Sequence, residues 1–445
     1  MSLPYVHGEV LTAEELVCLE DDAIILPQHP SLHGTGKRQV SASLISSPST
    51  ISTHSSTISS SSSSSASIRT FNFQPSTIST EIPLIREGPA ILEYIGFDAP
   101  TSHDIFHRYA ARPFPNECPD SLLDYACGQV SHLNLARYAE LPLDEAMTRI
   151  GVKAQIRAAI ADPEFTDLLY TEGLVFWLED TLKTNYATLL SRQHLLKRHA
   201  HHRLAHKKKR RASLEDIFRP QETLAVTATI NMTSRDFNLP ENHVAIREGD
   251  PPALSNHVTL YKGKAFSGLQ TTRRIIRDDG TVDFIPLSSP ICGDFNSIEP
   301  AYYWTPEKDT AERYRAWASL RCPDSETCII QIQLSRPFLN SLKSEANWFS
   351  DNWKEFVWCC RQGQPVPDRL DHLLNAELIW GHICTGHTDN LLALPGFAHM
   401  TRDHLLRRYS TGRPAPQWMF RLSTGQRLAN EVKGKLHFDI FAATK

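Results

Sequence analysis

The chain has 445 residues and a formal net charge of −4, with 46 Lys and Arg residues against 50 Asp and Glu residues. No stretch approaches the ~18 consecutive apolar residues of a membrane-spanning helix, and the acidic N-terminal residues lack the apolar core of a signal peptide, so the sequence disfavours membrane and secreted proteins. Nine cysteines without a C-x-x-C pair disfavour a disulfide framework and a zinc finger. We therefore expect reduced thiols and a nuclear or cytoplasmic location.

The first 80 residues contain a serine-rich and threonine-rich tract. Between residues 41 and 79 the composition narrows to mostly Ser, Thr and Ile, with an unbroken serine run from Ser59 to Ser65. Such a segment buries too little apolar surface to offset the loss of chain entropy on folding. We predict that residues 1–80 are disordered, either as an inert spacer or as a phosphorylated tail.

The next block, residues 81–200, has helical periodicity. Pro89 and Gly96 bracket one short apolar segment as first-turn proline and terminal glycine. The longest pattern runs from about residue 172 to residue 200 and repeats apolar residues at helical spacing, as at Leu174, Leu178 and Leu182. The pattern predicts a small all-α domain that ends in a long helix.

A basic segment at 201–218 follows, which we interpret as a linker. It contains five consecutive cationic residues that resemble a nuclear import signal: Lys207, Lys208, Lys209, Arg210 and Arg211. Ser213 follows Arg-Arg-Ala, an arrangement that basophilic kinases accept. A plain linker, an address read by an import receptor and direct nucleic-acid binding all fit, and nucleic acid is the least favoured partner. The loosely spaced histidines in so cationic a segment predict no metal site.

From about residue 219 the pattern changes to short strands and helices, which predicts an α+β domain over 219–445. A hairpin is expected about Asp279 and Gly280. The predicted strands lie at 257–263, 301–305, 328–334, 376–384, 417–423 and 435–441. The predicted helices lie at 306–320, 352–361, 401–409 and 424–432. No glycine-rich phosphate loop is present, which disfavours ATP hydrolysis and dinucleotide redox chemistry.

Six motifs of this last domain occur in a recognisable order. They are Leu-Tyr-Lys-Gly at 260–263, Gly-Asp-Phe-Asn at 293–296, Tyr-Tyr-Trp-Thr at 302–305, a Trp-containing helix at 349–356, Glu-Leu-Ile-Trp-Gly at 377–381 and Gln-Trp-Met-Phe at 417–420. The series resembles a family of ADP-ribosyltransferase-like domains of uncharacterised fungal and bacterial proteins, over about residues 257–440. The resemblance implies a split-sheet domain with NAD or a related nucleotide as substrate and no metal.

The resemblance also assigns roles to individual residues. Tyr303 falls at the position that stacks on nicotinamide, where an aromatic face attracts the pyridinium. Gln417 falls at the position that accepts a hydrogen bond from the ribose 2′-OH, and Glu377 is a nearby carboxylate that could replace it. The residues that the resemblance places around the nucleotide are Tyr261, Lys262, Gly263 and Thr305. We expect Lys262, Tyr303 and Gln417 to surround one cleft.

Two residues depart from the family pattern. Lys262 stands where the family has His, and lysine suits a diphosphate better than ribose hydroxyls. Gln417 cannot act as a general base, which favours cleavage of NAD to nicotinamide and ADP-ribose over modification of a protein. Three structural roles remain open: core aromatic for Tyr303, snorkelling edge residue for Lys262 and strand-edge hydrogen-bonder for Gln417. The alternative functions are an inactive binding module of the same fold and a nuclear DNA-associated regulator that acts through the basic segment.

Overall fold

The structure is a computed structural model. It describes residues 8–27, 35–41, 64–71, 79–113, 120–134, 138, 141–215, 243–267, 274–386 and 394–444, and for 208–215 only the helical backbone. None of the helices within these ranges is both long and apolar enough to cross a membrane.

Helices dominate the N-terminal half of the described chain. Three of them begin at side-chain caps. Thr12 and Ser121 form capping boxes with Glu15 and Asp124, and Asp98 accepts from the backbone of Thr101. The helices are α1 (Ala13–Asp21), α2 (Pro89–Ile95), α3 (Ala99–Ala110), α4 (Leu122–Ser131), α5 (Leu143–Arg149), α6 (Ala154–Ile160), α7 (Thr166–Leu169) and α8 (Leu174–Glu215). A two-stranded antiparallel sheet pairs β1 (Lys37–Ser41) with β3 (Ser79–Pro83), and both strands lie between α1 and α2 in the sequence.

A five-stranded sheet combines strands from distant parts of the chain. Its order is β4-β2-β11-β7-β5, with β2 (Ala66–Phe71), β4 (Val244–Ile246), β5 (His257–Ala265), β7 (Thr327–Ser335) and β11 (Leu436–Phe441). Strand β2 runs parallel to β11, with Ala66 opposite Leu436, and β11 runs antiparallel to β7. A strand from the serine-rich segment, β2, therefore pairs with the edge of β11 that does not face β7.

A four-stranded sheet lies next to it. Its order is β6-β10-β9-β8, with β6 (Ala301–Trp304), β8 (Ser344–Asn347), β9 (Leu378–His382) and β10 (Pro416–Arg421). The remaining helices are α9 (Lys308–Arg321), α10 (Arg336–Asn340), α11 (Asp351–Arg361), α12 (Asp371–Leu374) and α13 (Gly425–Val432). A single backbone bridge between Tyr261 and Thr305 connects β5 of the larger sheet to the end of β6.

Three apolar clusters hold these layers together. The inter-sheet core joins both larger sheets and includes Leu260, Trp304 and Phe438. The outer core lies between the four-stranded sheet and α11 and includes Met419 and Phe356. The helical core contains the apolar faces of the N-terminal helices together with residues of the later half, namely Trp317, Ile383, Leu406 and Ala415.

The mixed α and β composition predicted from the sequence is confirmed. Disorder throughout residues 1–80 is wrong, because α1, β1 and β2 all begin within that range. In β2 the alternating residues Ala66 and Ile68 are almost completely buried, and the strand pairs with β11. This burial and pairing stabilise a short strand that the serine-rich composition of the segment conceals.

Two further expectations are corrected. The segment at 201–218 is helical through Glu215, as the end of α8, so it is not an extended linker. The helix expected at 401–409 is a short turn at Arg402–His404 followed by single bridges of Leu405 and Arg407. The helical block does not have a core of its own, because Trp317 of α9 packs in the helical core and donates to the carbonyl of Ala159 at 2.8 Å.

Candidate functional site

The two larger sheets separate next to Tyr261 and Thr305. The backbones of these two residues exchange hydrogen bonds of 2.7 and 2.9 Å. One residue further on, the Lys262 ammonium donates to the carbonyl of Tyr303 at 3.3 Å and to Ser289 Oγ at 3.4 Å. A lysine side chain thus spans the gap where a ladder bond would otherwise continue. Burial, with the like charge of Lys264, lowers the pKa of Lys262 to about 7.

Gly263 lies at this split because helix α9 approaches it closely. A Cβ at Gly263 would lie 1.8 Å from the carbonyl oxygen of Ala311. Residues of a strand alternate the direction of their backbone groups, so Gly263 points its N–H and C=O toward β6, as Tyr261 does. Neither group has a hydrogen-bond partner among the described residues. The split therefore exposes one donor and one acceptor of a strand edge.

The phenol of Tyr303 is fixed by the segment 293–296. Its hydroxyl donates to Asn296 Oδ1 at 2.8 Å and accepts from the backbone N–H of Phe295 at 2.8 Å. A Cβ at Gly293 would come within 3.0 Å of that hydroxyl, so only glycine lets the segment wrap so closely. Burial raises the pKa of Tyr303 well above its usual range, which keeps the hydroxyl protonated.

Asp294 is the centre of a buried polar network behind Tyr303. Its Oδ1 pairs with the guanidinium of Arg361 at 2.6 Å. Its Oδ2 accepts from the backbone N–H of Cys384 at 2.8 Å and from Nε2 of Gln417 at 2.6 Å. Gln417 Nε2 also donates to the carbonyl of His382 at 3.2 Å. The amide nitrogen of Gln417 thus makes both of its hydrogen bonds within the protein. The amide oxygen has no partner among the described residues, so it can accept a hydrogen bond from a ligand.

The expected three-residue cleft forms only in part. Met419 lies opposite Tyr303 in the ladder, and Gln417 shares the face of Met419, so Tyr303 and Gln417 lie on the same side of the four-stranded sheet. Tyr261 pairs with Thr305, which lies on the same face as Tyr303. Lys262 is the next residue of the strand, so its side chain points to the opposite, inter-sheet side. The structure therefore brings two of the three residues together.

The other sequence-predicted residues have structural contacts. Thr305 Oγ1 donates to the carbonyl of Pro416 at 2.9 Å, and burial raises the pKa of the half-buried Tyr261 hydroxyl. Glu377 precedes β9, at the opposite end of that strand from Gln417's partner Gly381. Its carboxylate pairs with Arg427 at 2.5 Å and accepts from the backbone of Lys343 at 2.9 Å, so it does not replace Gln417.

Three residues of the site are absent from the sequence prediction. Asp294 lies in the Gly-Asp-Phe-Asn motif at 293–296, and this motif is the one sequence signal that could have identified it. Arg361 ends an amphipathic helix and Glu172 precedes a long one, so neither stands out in the sequence. Glu172 is half-buried and has no hydrogen-bond or ion-pair partner among the described residues. Burial raises its pKa to about 7, while Arg361 opposes and Asp294 adds to that shift.

The basic end of α8 packs against the acidic helix α1. Lys207 Nζ lies 3.1 Å from Asp21, Arg203 lies 2.7 Å from Asp22, and His201 lies 2.5 Å from Glu15. The side chains of Lys208, Lys209, Arg210, Arg211 and Ser213 lie outside the described residues. The import signal and the kinase site accordingly stay predictions.

No group of three or more His, Cys, Asp or Glu side chains within the described ranges is arranged to hold a metal ion. The chain matches no known protein-family model, no curated protein and no solved structure.

Proposed function

We propose that the chain is an ADP-ribosyltransferase-like protein that binds NAD at the split between its two larger sheets and cleaves it to nicotinamide and ADP-ribose. The nucleotide lies on the side of the four-stranded sheet that carries Tyr303 and Gln417. Lys262, on the other side, acts as a bridge between the sheets and not as a ligand.

The open strand edge at Gly263 carries this proposal. A carboxamide presents one acceptor and two donors in a plane, which complements one backbone N–H and one C=O. Gly263 offers that pair on the side of β6 where the Tyr303 ring is held in place by Asn296. A planar, carboxamide-bearing ring such as nicotinamide meets both features, through its edge and through its face.

Gln417 supports cleavage of the bound nucleotide. Breaking the bond between nicotinamide and ribose builds positive charge on the sugar, as in glycoside hydrolysis. A fixed acceptor beside the 2′-OH stabilises that charge more than it stabilises the substrate. Asp294 sets the orientation of the Gln417 amide, so the oxygen is presented without reorganisation.

The second candidate, an inactive binding module of the same fold, is favoured by the position of Glu377. The position that contacts the ribose 2′-OH carries an uncharged glutamine here, and Glu377, the carboxylate that could replace it, is paired with Arg427 at the other end of β9. An inactive module would still bind the nucleotide through the split-sheet architecture and the Gly263 edge, because neither feature depends on cleavage.

The two candidates are separated by measuring binding and turnover on the same full chain. NAD is titrated by calorimetry at up to about 1 mM, and nicotinamide release is followed by chromatography. Wild-type protein is compared with Gln417→Met and with Gln426→Met, in which the replaced glutamine is exposed and its side chain bonds Asn430. We expect Gln417→Met to lose about 10²-fold to 10³-fold in nicotinamide release and the control to lose nothing. Binding without release would identify the inactive module, and absence of binding would refute both candidates.

A further inference from the structure

The corner between α7 and α8 contacts the segment that follows β9, the end of α11 and helix α9. The backbone N–H of Gly386 donates to the carbonyl of Tyr170 at 2.6 Å. Arg361 donates to the carbonyl of Thr171 at 2.8 Å, and the hydroxyl of Tyr314 donates to Thr171 Oγ1 at 3.3 Å. These contacts fix the residues before Glu172 against the end of β9 and against helix α9.

Glu172 follows directly, and its carboxylate is unpaired as far as the described residues go. Arg361 donates to the carbonyl of the preceding residue, Thr171, and pairs with Asp294 at 2.6 Å, so Glu172 directly follows a backbone group that the buried network holds. Burial, with a smaller contribution from the charge of Glu172, raises the pKa of Tyr303 and of Tyr314. Glu172 makes no hydrogen bond or ion pair with the described residues, although the neighbouring Asp294 has both oxygens occupied. A partly buried carboxylate without a partner destabilises a fold, and such groups concentrate where chemistry uses them.

We propose that Glu172 is the general base of this site, a carboxylate that the helical half of the chain supplies to the split sheet in place of the uncharged Gln417. This role rests on the proposed cleavage of NAD. The C1′–N bond to the pyridinium breaks with its electron pair returning to the ring nitrogen, so neutral nicotinamide leaves. The oxygen of a water molecule bonds to C1′ and gives one proton to the Glu172 carboxylate, which later releases it to solvent.

The other carboxylates near the site are engaged elsewhere. Asp294 accepts from Arg361, Cys384 and Gln417 and has no oxygen free to take a proton from water. Glu377 is paired with Arg427 at the far end of β9. A raised pKa of about 7 places Glu172 near neutrality, where a general base is most effective.

The test uses the full chain with Glu172→Gln and with Glu164→Gln, an exposed glutamate eight residues earlier as the matched control. We expect Glu172→Gln to bind NAD within about 3-fold of wild type and to release nicotinamide about 10²-fold to 10⁴-fold more slowly. In wild type the rate should rise with pH through about 7 and then level off, and the variant should lose this dependence. Equal rates in Glu172→Gln and wild type would overturn the role of Glu172 and leave the proposed function standing.

Two other outcomes also decide the matter. Wild-type binding without release would overturn both the general-base role and the proposed cleavage, and would identify the inactive module. Wild type that does not bind NAD would overturn the proposed function as a whole, and the general-base role with it. A readout without substrate checks the placement of the carboxylate. Because the folded-state pKa is raised, the charged carboxylate costs stability as pH rises through about 7, so Glu172→Gln should gain stability over wild type between about pH 5 and pH 8. A stability difference that does not change with pH would overturn the proposal.

Discussion

The side-chain nitrogen of Gln417 lies 2.6 Å from Oδ2 of Asp294. The same carboxylate neutralises Arg361, which is buried and also donates to the carbonyls of Thr171, Cys384 and Gly386. One residue therefore orients the amide of the candidate site and balances a buried cation. Through Arg361, which donates to the carbonyl of Thr171, this network connects the helical half of the chain to the four-stranded sheet.

Replacing this carboxylate should destabilise the protein strongly. Asp294→Asn removes the charge but keeps the shape, so it leaves the Arg361 cation buried and unpaired. We expect the free energy of unfolding to fall by about 3–5 kcal/mol in urea titrations. The control is Asp278→Asn, which breaks an exposed pair with Arg274 and should cost less than about 1 kcal/mol. Equal effects of the two changes would contradict the central position of Asp294.

The close approach of helix α9 to β5 predicts an intolerance of any side chain at Gly263. In Gly263→Ala the added methyl would overlap the carbonyl of Ala311, so the helix must shift. We expect a loss of about 1–3 kcal/mol in chemical denaturation. Gly128→Ala is the matched control, because the space around Gly128 within α4 is open and alanine should stabilise the helix by about 0.5–1 kcal/mol. Unchanged stability of Gly263→Ala would show that the helix does not pack as described.

The buried ammonium of Lys262 predicts a pH-dependent stability. Its folded-state pKa of about 7 is below the unfolded value, so the charged form costs stability below about pH 7, and the cost disappears as pH rises toward the unfolded pKa. Lys262→Met should therefore be more stable than wild type near pH 6, with a difference that narrows toward pH 9. Urea unfolding at both pH values measures it. Exposed Lys433→Met should show no such narrowing, and a constant difference for Lys262→Met would contradict the burial of the ammonium.

The cationic run at 207–211 predicts a nuclear address. Glutamine at all five positions should move a fluorescent fusion of the full chain from nucleus to cytoplasm, because an import receptor reads the clustered charge. The control replaces two exposed arginines, Arg407 and Arg413, with glutamine and should leave the distribution unchanged. If the fusion stays in the nucleus after the five substitutions, the run is not the nuclear import signal and the prediction is wrong.

The sequence predicted the elements whose own residues carry the pattern. Strand β5, strand β7 and helix α11 lie within a residue or two of their expected bounds, since alternation and helical spacing are local properties. Strand β2 was missed because a composition averaged over the serine-rich tract conceals a strand of six residues. Its alternation of Ala66 and Ile68 becomes meaningful only when β11 lies beside it.

The candidate site was predictable only where motifs follow the chain. The three residues Lys262, Tyr303 and Gln417 were expected around one cleft. Tyr303 and Gln417 lie on one face of the four-stranded sheet, each in a strand with a clear pattern. Lys262 lies on the other side, since a bridge between two sheets decides its face and no local signal encodes that bridge. Glu172 and Arg361 come from a helix-to-helix corner and a helix end, and only tertiary packing brings them to the sheet.

NAD is expected to bind at the split between the two larger sheets, and amide hydrogen exchange of the full chain with and without NAD measures this binding site. At about 1 mM NAD, exchange should slow in two segments, residues 257–265 with the open Gly263 amide and residues 293–305 around Tyr303. Peptides from the exposed end of β9 near Glu377 and Arg427 should exchange at unchanged rates. Unchanged exchange across both split segments, or protection confined to other parts of the chain, would contradict the claim.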